Sequence, residues 1–341
     1  MTDQPLLVRP GRSPWQWFYG AAHRWRRSWY SRRQATLPRP VISVGNLHWG
    51  GSGKTPVTAA LARHLIDDGR RVAILSRGYG RKDRKVRLVS SGEGPLIGPS
   101  LAGDEPVLLA GEVPGAAVVV APERHLAGRH AMERLDPPPE LFILDDGFSH
   151  LGLARDLDLL VFPADDPLGG GRLWPGGRLR EPLDSARHAD AILVNGSAAD
   201  AQALASALEP YGLTGPAFAC DRRVETPRLI TGGPIDAGRR TLLVSAIARP
   251  GDFETTAGTL DVEVVDVITF PDHHDYPDTS LRQIESAFDA SGAEVVLTTS
   301  KDRVKLLGRL DRPLAEVPLS AAPANDFWRW FDGRISELAP R

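Results

Sequence analysis

The stretch that decides the fold is VISVGNLHWGGSGKTPV, residues 41–57, in which a short apolar run gives way to glycines and then to Gly-Lys-Thr. A buried strand, a glycine-rich turn, a lysine and a hydroxyl before a helix form the pattern of a phosphate-binding loop. The pattern predicts a nucleoside triphosphate with Mg²⁺ as the ligand. The commonest spacing places a glycine at position 48, where this chain has His48.

The glycines of this loop allow backbone N–H groups to approach phosphate oxygens, because no Cβ stands in the way. A simple tight turn is the alternative, and the strand before and the helix after it argue against that. Dimerising ATPases with a related loop carry a lysine just before Gly-Gly, and Trp49 occupies that place. Lys54 is expected to reach the β- and γ-phosphates, and the Thr55 hydroxyl to bind Mg²⁺. The predicted nucleotide-binding residues are Gly50, Gly51, Ser52, Gly53, Lys54 and Thr55.

The composition is typical of a protein with a substantial core. The chain has 341 residues, of which 42% are hydrophobic and 25% charged, enough for one large domain or two. The single cysteine, Cys220, excludes an intrachain disulfide and fits a reducing compartment. No apolar run approaches the length of a membrane-spanning helix, and no secretory signal is visible.

The N-terminal segment is strongly basic. Residues 1–40 hold eight arginines and one acid, a charge of +7, although the whole chain has a net charge of -2. This charge points to an anionic partner, either a membrane or a nucleic acid. One helical stripe is formed by Phe18, Ala22, Trp25 and Trp29. Aromatic residues interleaved with arginine favour a bilayer interface, so we expect a membrane-associating amphipathic helix within residues 1–34. The alternative is that the stripe packs on the protein's own core.

After this segment, strands and helices alternate, which predicts parallel strands with crossover helices. The predicted fold is α/β: a P-loop NTPase-like, mostly parallel sheet flanked by helices, with a second, smaller α/β domain. We expect the P-loop domain at 35–214 and the smaller domain at 215–341, joined by a linker near 212–235. The last helix, at 325–338, is free to dock on either domain. The Gly- and Pro-rich stretch 163–182 is expected to be a functional loop.

Two acidic pairs are candidates for chemistry. Asp145 and Asp146 follow the apolar run Leu141–Leu144, and the end of such a strand is where a P-loop protein holds Mg²⁺. Taken alone, Asp-Asp-Gly is usually a turn. Asp104 and Glu105 open a predicted helix, where acids also serve simply to complement the helix dipole.

Basic and histidine residues form the remaining candidates. The segment SRGYGRK, residues 76–82, runs into further arginines and lysines, and is either a solvated face or a receptor for a phosphorylated substrate. His150 lies near the Asp-Asp pair and is able to reach a phosphate. The segment DHHDY, residues 272–276, lacks the other ligands of a zinc site, so a histidine that assists a base is the favoured role.

Taken in order, the motifs VGNLHWGGSGKTP, SRGYGRK, AGDEP, LDDGFSH, LREP and FPDHHDY resemble those of the tetraacyldisaccharide 4'-kinases, the lipid A 4'-kinases. The resemblance covers nearly the whole chain. It implies ATP- and Mg²⁺-dependent phosphorylation of the 4'-hydroxyl of a tetraacylated glucosamine disaccharide 1-phosphate, an anionic glycolipid. It also implies peripheral attachment to the cytoplasmic face of a Gram-negative inner membrane. No nucleic acid and no obligate protein partner are expected.

The resemblance also implies roles for individual residues. Asp104 acts with His273, rather than with His274, at the acceptor hydroxyl, and Lys54 completes the catalytic set. Because this pair comes from different predicted domains, closure is needed to assemble it. The implied metal ligands are Thr55, Glu105, Asp145 and Asp146. The implied substrate contacts are Arg77, Tyr79, Arg124 and His150.

One departure from the family concerns Ser149, where the family more often has glutamine, so we assign Ser149 no role. Arg180 and Glu181, in the Gly-rich loop, are secondary candidates. Lys301 and Asp302 are expected to start a helix, with a role facing the nucleotide as the alternative.

Two other functions are compatible with part of the sequence. The main one is a membrane-recruited P-loop ATPase that acts as a switch or positioning factor. Trp49, Asp104 and His273 argue against it. The other is a basic, nucleic-acid-binding NTPase, for which charge is the sole support.

Overall fold

The structure, a computed structural model, describes residues 14–31 and 33–338, with side-chain surroundings from Phe18 onward except at Ser31. The membrane-associating segment expected at 1–34 is therefore described in part, and residues 1–13 and Arg32 lie outside the described range. No described helix has the length and apolar character needed to cross a bilayer.

The strands follow the apolar runs of the sequence. The central strands are buried from end to end, because parallel strands covered by helices on both faces read as continuous apolar runs. Their bounds are β1 Val41–Gly45, β2 Val72–Ser76, β3 Arg87–Ser90, β4 Ala117–Val120, β5 Leu141–Asp145, β6 Leu157–Pro163, β7 Ala191–Asn195, β8 Ala217–Val224, β9 Arg228–Leu229, β10 Arg239–Ser245, β11 Val262–Thr269, β12 Val295–Thr299, β13 Leu314–Val317 and β14 Leu319–Pro323.

These strands form two sheets. The larger has the order β14-β8-β7-β6-β1-β5-β2-β4-β3; its interior strands are parallel and its two edge strands, β14 and β3, are antiparallel to their neighbours. The smaller has the order β11-β10-β12-β13-β9, parallel except at β9. The predicted fold class, a mostly parallel P-loop-like sheet with a smaller α/β unit, is confirmed.

The helices cover both faces of these sheets and include short pieces that the sequence pattern did not reveal. In particular, the helix start expected at Lys301 is present in α9. The bounds are α1 Pro14–Ser31, α2 Lys54–Asp67, α3 Pro99–Ala102, α4 Asp104–Glu112, α5 Arg124–Arg134, α6 Ala198–Leu208, α7 Pro250–Ala257, α8 Asp278–Ser291, α9 Ser300–Leu306 and α10 Asn325–Glu337.

Helix α1 confirms the expected N-terminal helix and turns its aromatic stripe outward. Phe18 is 65% exposed and Trp25 71%, and Trp29 is also exposed. The opposite side of the helix, with His23 and Arg27, faces the protein. The alternative in which the aromatic stripe packs on the protein's own core is therefore wrong.

The strand pairing corrects the second domain expected at 215–341. β8 pairs with β7, and β14 returns beside β8, so both belong to the larger sheet. Phe327 and Phe331 of α10 are buried in the core of the same sheet. The linker expected near 212–235 thus contains the strands β8 and β9, and the smaller unit lies between β8 and β14 in the chain. These segments were assigned to the wrong unit because the assignment followed their order in the sequence, whereas sheet membership depends on which strands pair.

Candidate functional site

The glycine loop and the Asp-Asp pair meet at one edge of the larger sheet. The loop follows β1, and Asp145 ends the neighbouring strand β5, with Val44 and Asp145 paired across the two strands. Parallel strands place their carboxyl ends at the same edge, where open α/β sheets bind ligands. Helix α2 begins at Lys54, so its N-terminus faces this edge.

Two asparagines hold the loop in shape. Gly53 has a φ of 79°, and a Cβ there would lie 2.4 Å from Asn195 Nδ2. Asn195 Nδ2 donates to the carbonyl oxygen of Ser52 at 2.6 Å, and Asn46 Nδ2 donates to its hydroxyl at 2.7 Å. Sequence reasoning did not identify either asparagine. The available signal was position alone, because each lies at or just beyond the end of a buried strand.

His48, which replaces the usual glycine, is a core residue. Its ring is buried and packs edge-on against Phe162, with ring centroids 5.7 Å apart. Burial lowers the pKa of His48 to about 4, so the ring is neutral near pH 7. Gly50 and Gly51, by contrast, border open space on the ligand side of the loop. The irregular spacing therefore leaves the phosphate-binding surface free.

Asp146 faces two cations. Lys54 Nζ lies 3.8 Å from Asp146 Oδ1, and Arg180 donates from Nη1 to Asp146 Oδ2 at 3.0 Å. Burial would raise the pKa of Asp146, but Lys54 and Arg180 outweigh it and hold that pKa far below its ordinary value. Its backbone φ is 52°, a conformation that non-glycine residues seldom adopt and that is common at functional sites. Thr55 follows Lys54 in the first turn of α2.

Asp145 is in the opposite situation. Its side chain is buried, Thr58 Oγ1 donates to Oδ1 at 3.2 Å, and Oδ2 has no hydrogen-bond partner among the described residues. Burial, reinforced by the nearby charges of Glu105 and Asp146, raises the pKa of Asp145 to about 7. A buried carboxylate oxygen without a donor indicates that a cation belongs beside it.

The available oxygens fit Mg²⁺. Thr55, Glu105, Asp145 and Asp146 offer hydroxyl and carboxylate ligands, the type that Mg²⁺ prefers. Within residues 14–31 and 33–338, no three acidic, histidine or cysteine side chains converge into a ready-made metal cage. The three acids of the predicted ligand set, Glu105, Asp145 and Asp146, therefore do not form such a cage. In a nucleotide site, Mg²⁺ usually takes one or two carboxylates and completes its shell with phosphates and water.

Asp104 is held by a histidine and a lysine from the smaller unit. His273 Nδ1 lies 3.3 Å from Asp104 Oδ2, and Lys305 Nζ lies 2.8 Å from the same oxygen. Burial would raise the pKa of Asp104, but the hydrogen bonds from His273 and Lys305 outweigh it, and the net shift is downward. The structure thus brings together the predicted pair and adds Lys305, which the sequence analysis missed.

Glycines bring the basic strand end against the start of α4. A Cβ on Gly78 would lie 2.3 Å from the carbonyl oxygen of Ala102, and one on Gly103 would lie 2.8 Å from that of Tyr79. This close approach places the Tyr79 ring beside His273, with centroids 5.3 Å apart. The acid, the histidine and the exposed tyrosine therefore form one cluster.

The two adjacent histidines have different surroundings. His273 has a φ of 61° and reaches Asp104. His274 instead stacks on Phe270 at 4.6 Å and forms a hydrogen bond with Ser280 Oγ at 2.8 Å. The preference for His273 over His274 at Asp104 agrees with this geometry, and His274 stabilises the loop.

Arg124 and His150 lie together on the nucleotide side. The Arg124 backbone N–H donates to His150 Nε2 at 3.4 Å; Arg124 is buried and His150 is half-buried. Burial, with the charge of Arg124, lowers the pKa of His150 to about 3, and burial lowers that of Arg124 to about 10. Arg77 is exposed, and its charge acts on both groups.

Two further acidic residues, Glu105 and Glu181, contact other helices: Glu105 contacts α9 and Glu181 contacts α1. Glu105 Oε1 lies 3.4 Å from Lys301 Nζ of α9. The buried Glu181 accepts a hydrogen bond from Ser149 and lies 3.2 Å from His23 Nε2 of α1. Ser149, to which we assigned no role, thus helps to hold the segment that carries Arg180.

Known proteins match this chain over most of its length. A model of the tetraacyldisaccharide-1-P 4'-kinase family matches residues 12–336. The tetraacyldisaccharide 4'-kinase of Geobacter sulfurreducens is 40% identical over 327 residues, 89% of each chain, and that of Anaeromyxobacter sp. strain Fw109-5 is 42% identical over 282 residues, 80% of this chain and 75% of the relative. A crystal structure of LpxK from Aquifex aeolicus in complex with ATP superposes with a TM-score of 0.76 at 33% identity, covering 95% of this chain and 96% of that one. The chain belongs to the tetraacyldisaccharide 4'-kinase family.

Proposed function

We propose that this protein transfers the γ-phosphoryl group of ATP to the 4'-hydroxyl of a tetraacylated glucosamine disaccharide 1-phosphate, a step of lipid A biosynthesis. Family membership supports the reaction. The observation that carries the residue assignment is the 3.3 Å contact between Asp104 Oδ2 and His273 Nδ1, which pairs a carboxylate with an imidazole.

Phosphoryl transfer requires positioning and charge stabilisation rather than covalent chemistry by the protein. The backbone of residues 50–53 and the N-terminus of α2 bind the triphosphate, and Lys54 contacts its terminal phosphates. Mg²⁺, when bound, neutralises charge that develops on the phosphate oxygens. Thr55, Asp145 and Asp146 are the residues that would hold it, with Glu105 close by.

Asp104 is the proton acceptor in this proposal. As the 4'-oxygen forms its bond to the γ-phosphorus, its proton passes to Asp104, while the bond between the γ-phosphorus and the bridging oxygen breaks and ADP leaves. His273 orients the carboxylate through the 3.3 Å contact. The lowered pKa of Asp104 keeps it ionised, and therefore able to accept a proton, across the physiological range.

Cations and aromatic groups around Asp104 suit an anionic sugar lipid. Arg77 and Tyr79 are exposed beside the acid, and Arg124 and His150 lie behind the nucleotide edge. We assign these four residues to contacts with substrate or phosphate. Arginine is well suited to such contacts because its planar guanidinium binds phosphate in a bidentate manner.

Helix α1 supports peripheral attachment to a membrane. Its exposed side carries Phe18, Trp25 and Trp29, and aromatic residues with arginine favour the bilayer interface. The inner-membrane surface at its cytoplasmic face, where the glycolipid is met, is the proposed location. The larger-sheet unit and the smaller unit each supply part of the proposed acceptor site, and the Asp104–His273 contact joins them.

The rival function is a membrane-recruited ATPase that acts as a switch. It requires no base directed at an acceptor, so the Asp104–His273 pair has no purpose in it. ATP hydrolysis that is equally fast with and without the lipid disaccharide would support the rival.

The residue assignment is tested by Asp104→Asn, assayed with lipid disaccharide and labelled ATP. Loss of the base should lower kcat by about 10²- to 10⁴-fold. Asp289→Asn is the matched control, because Asp289 is exposed and pairs with Arg312 on another face of the smaller unit. Near-normal turnover by Asp104→Asn, in a protein that folds like the control, would remove Asp104 from this role.

A further inference from the structure

Lys305 is a buried lysine in the wall of the acceptor site. Its side chain is 4% exposed, and Nζ lies 2.8 Å from Asp104 Oδ2 while donating to the carbonyl oxygen of His274 at 2.9 Å. A buried ammonium group is costly unless its charge is paired and its hydrogens are bonded. Both conditions are met here by the acid of the proposed reaction and the loop of its histidine.

These contacts connect parts of the two sheet units. Asp104 begins α4, which follows β3 of the larger sheet, whereas Lys305 lies in α9, after β12 of the smaller one. The carbonyl bonded by Lys305 belongs to the residue after His273, whose φ of 61° is strained. One ammonium group therefore holds both the carboxylate and the loop that presents His273 to it.

The arrangement leaves the two oxygens of Asp104 unequal. Both partners, His273 and Lys305, contact Oδ2. Oδ1 accepts no hydrogen bond from any residue in the described part of the chain. Since two donors on one oxygen fix the plane of the carboxylate, Oδ1 is the oxygen left for an incoming hydroxyl proton.

We propose that Lys305 is a positioning residue for phosphoryl transfer: it fixes the Asp104 carboxylate and the His273 loop together, so that Oδ1 alone meets the acceptor hydroxyl. This inference rests on the proposed role of Asp104. Lys305 contacts neither nucleotide nor sugar in this account, so it acts through Asp104 and His273.

Arg309 provides a matched control. It holds the same loop, donating to the carbonyl oxygens of Asp275 at 3.1 Å and Tyr276 at 2.7 Å. Asp104 is not among its contacts in the described chain. A change at Arg309 thus weakens the loop while it leaves the carboxylate of Asp104 paired with Lys305.

The experiment compares Lys305→Met, Lys305→Arg and Arg309→Met in the full-length enzyme with Mg-ATP and the lipid disaccharide. Lys305→Met should lower kcat by about 10- to 100-fold, because a small misplacement of a catalytic group costs up to that much, and leave the KM for ATP nearly unchanged. Lys305→Arg, which retains the charge, should recover part of the loss. Arg309→Met should stay within about threefold of the parent enzyme, since it removes contacts with the loop and with the exposed Asp278 but none with Asp104.

Urea unfolding of each variant shows whether a loss arises from folding. Unchanged kcat in Lys305→Met would overturn the proposal, and so would an equal loss in Arg309→Met, because loop stability would then explain both. An increase in the KM for ATP with unchanged kcat would make Lys305 a nucleotide contact instead, which also contradicts it.

The double variant separates this inference from the proposed function. If Lys305 acts through Asp104, adding Lys305→Met to Asp104→Asn should lower single-turnover rates little further. A full additional loss would refute action through Asp104. Full activity of Asp104→Asn would instead refute the proposed base, whatever Lys305→Met does.

Discussion

Asp145 and Asp146 show how two adjacent carboxylates acquire different properties. Asp146 lies against Lys54 and Arg180, and its pKa is far below the ordinary value. Asp145 is buried with one oxygen unbonded, and its pKa is raised to about 7. Neighbouring charge and burial explain both shifts. Asp145 is thus the carboxylate that most needs a cation.

This contrast predicts how the Mg²⁺ requirement depends on pH. Mg²⁺ binds the ionised carboxylate, and a pKa raised to about 7 means that Asp145 gains a proton as the pH falls through that value. The Mg²⁺ concentration that gives half-maximal kinase rate should therefore rise about tenfold from about pH 8 to about pH 6.

Asp145→Asn is the control for this prediction, because the phosphates of the nucleotide also titrate near neutral pH. In that variant the remaining pH dependence belongs to the nucleotide alone. If the parent enzyme and Asp145→Asn show the same slope, Asp145 does not titrate as its burial indicates.

The residues of the candidate site differ in how readily the sequence predicts them. Lys54, Asp104 and His273 stand in compact motifs at strand or helix ends, so their positions followed from local pattern and family resemblance. Lys305 and Asn195 were missed because their importance lies in contacts with residues distant in sequence. No local pattern distinguishes such a lysine from a solvated one.

At the scale of elements, α1 is an amphipathic helix whose polar side, rather than its apolar side, faces the protein. Its polar side binds the protein: Arg24 Nη1 lies 3.3 Å from Asp184 Oδ2, and the Arg27 guanidinium lies over the Phe148 ring at 4.6 Å. Its aromatic stripe faces outward. A helix that packed for stability alone would bury the apolar side.

The orientation of α1 predicts that its aromatic stripe can be removed without unfolding the protein. Trp25→Ser combined with Trp29→Ser should weaken binding to anionic phosphatidylglycerol vesicles by about tenfold or more, while Tm changes little. Vesicle sedimentation and thermal unfolding measure the two effects.

Trp330→Ser is the control, since Trp330 is half-buried against the core of the larger sheet. It should lower Tm and leave vesicle binding of the folded protein intact. Unchanged sedimentation of the Trp25/Trp29 variant would show that the stripe does not contact lipid.

One loop links α1 to the nucleotide edge. Arg180 bonds Asp146 at the site, and the next residue, Glu181, pairs with His23 and Arg27 of the helix. Tyr19 Oη also donates to the carbonyl oxygen of Arg180 at 3.0 Å. Adjacent residues of one segment therefore fix the position of α1 relative to the phosphate-binding loop.

Among elements, the apolar strands and long helices of the larger sheet were predictable because each carries a continuous or periodic apolar pattern. β14 was not assigned to it, because it pairs with β8 across about a hundred residues of chain. β8 was not assigned to it because it lies in the expected linker, although it pairs with the preceding strand β7. The short pieces α3 and β9 carry too few residues for any period to be detected.

For the whole molecule, the proposed acceptor site is shared between the two sheet units. Asp104 belongs to the larger unit and His273 to the smaller one. The chain leaves the larger sheet after β8 and returns to it at β14. The phosphate-binding loop, by contrast, lies wholly within the larger unit. This division explains why one motif was enough to predict the nucleotide site, whereas the proposed acceptor site combines residues far apart in sequence.

The central claim is that this chain phosphorylates a lipid disaccharide. Its most direct test is mass spectrometry of a tetraacyldisaccharide 1-phosphate after incubation with the enzyme and Mg-ATP, with Asp104→Asn in parallel. The account predicts one added phosphate at the 4'-position with the parent enzyme and almost none with the variant. An unmodified lipid beside steady ATP hydrolysis would contradict it.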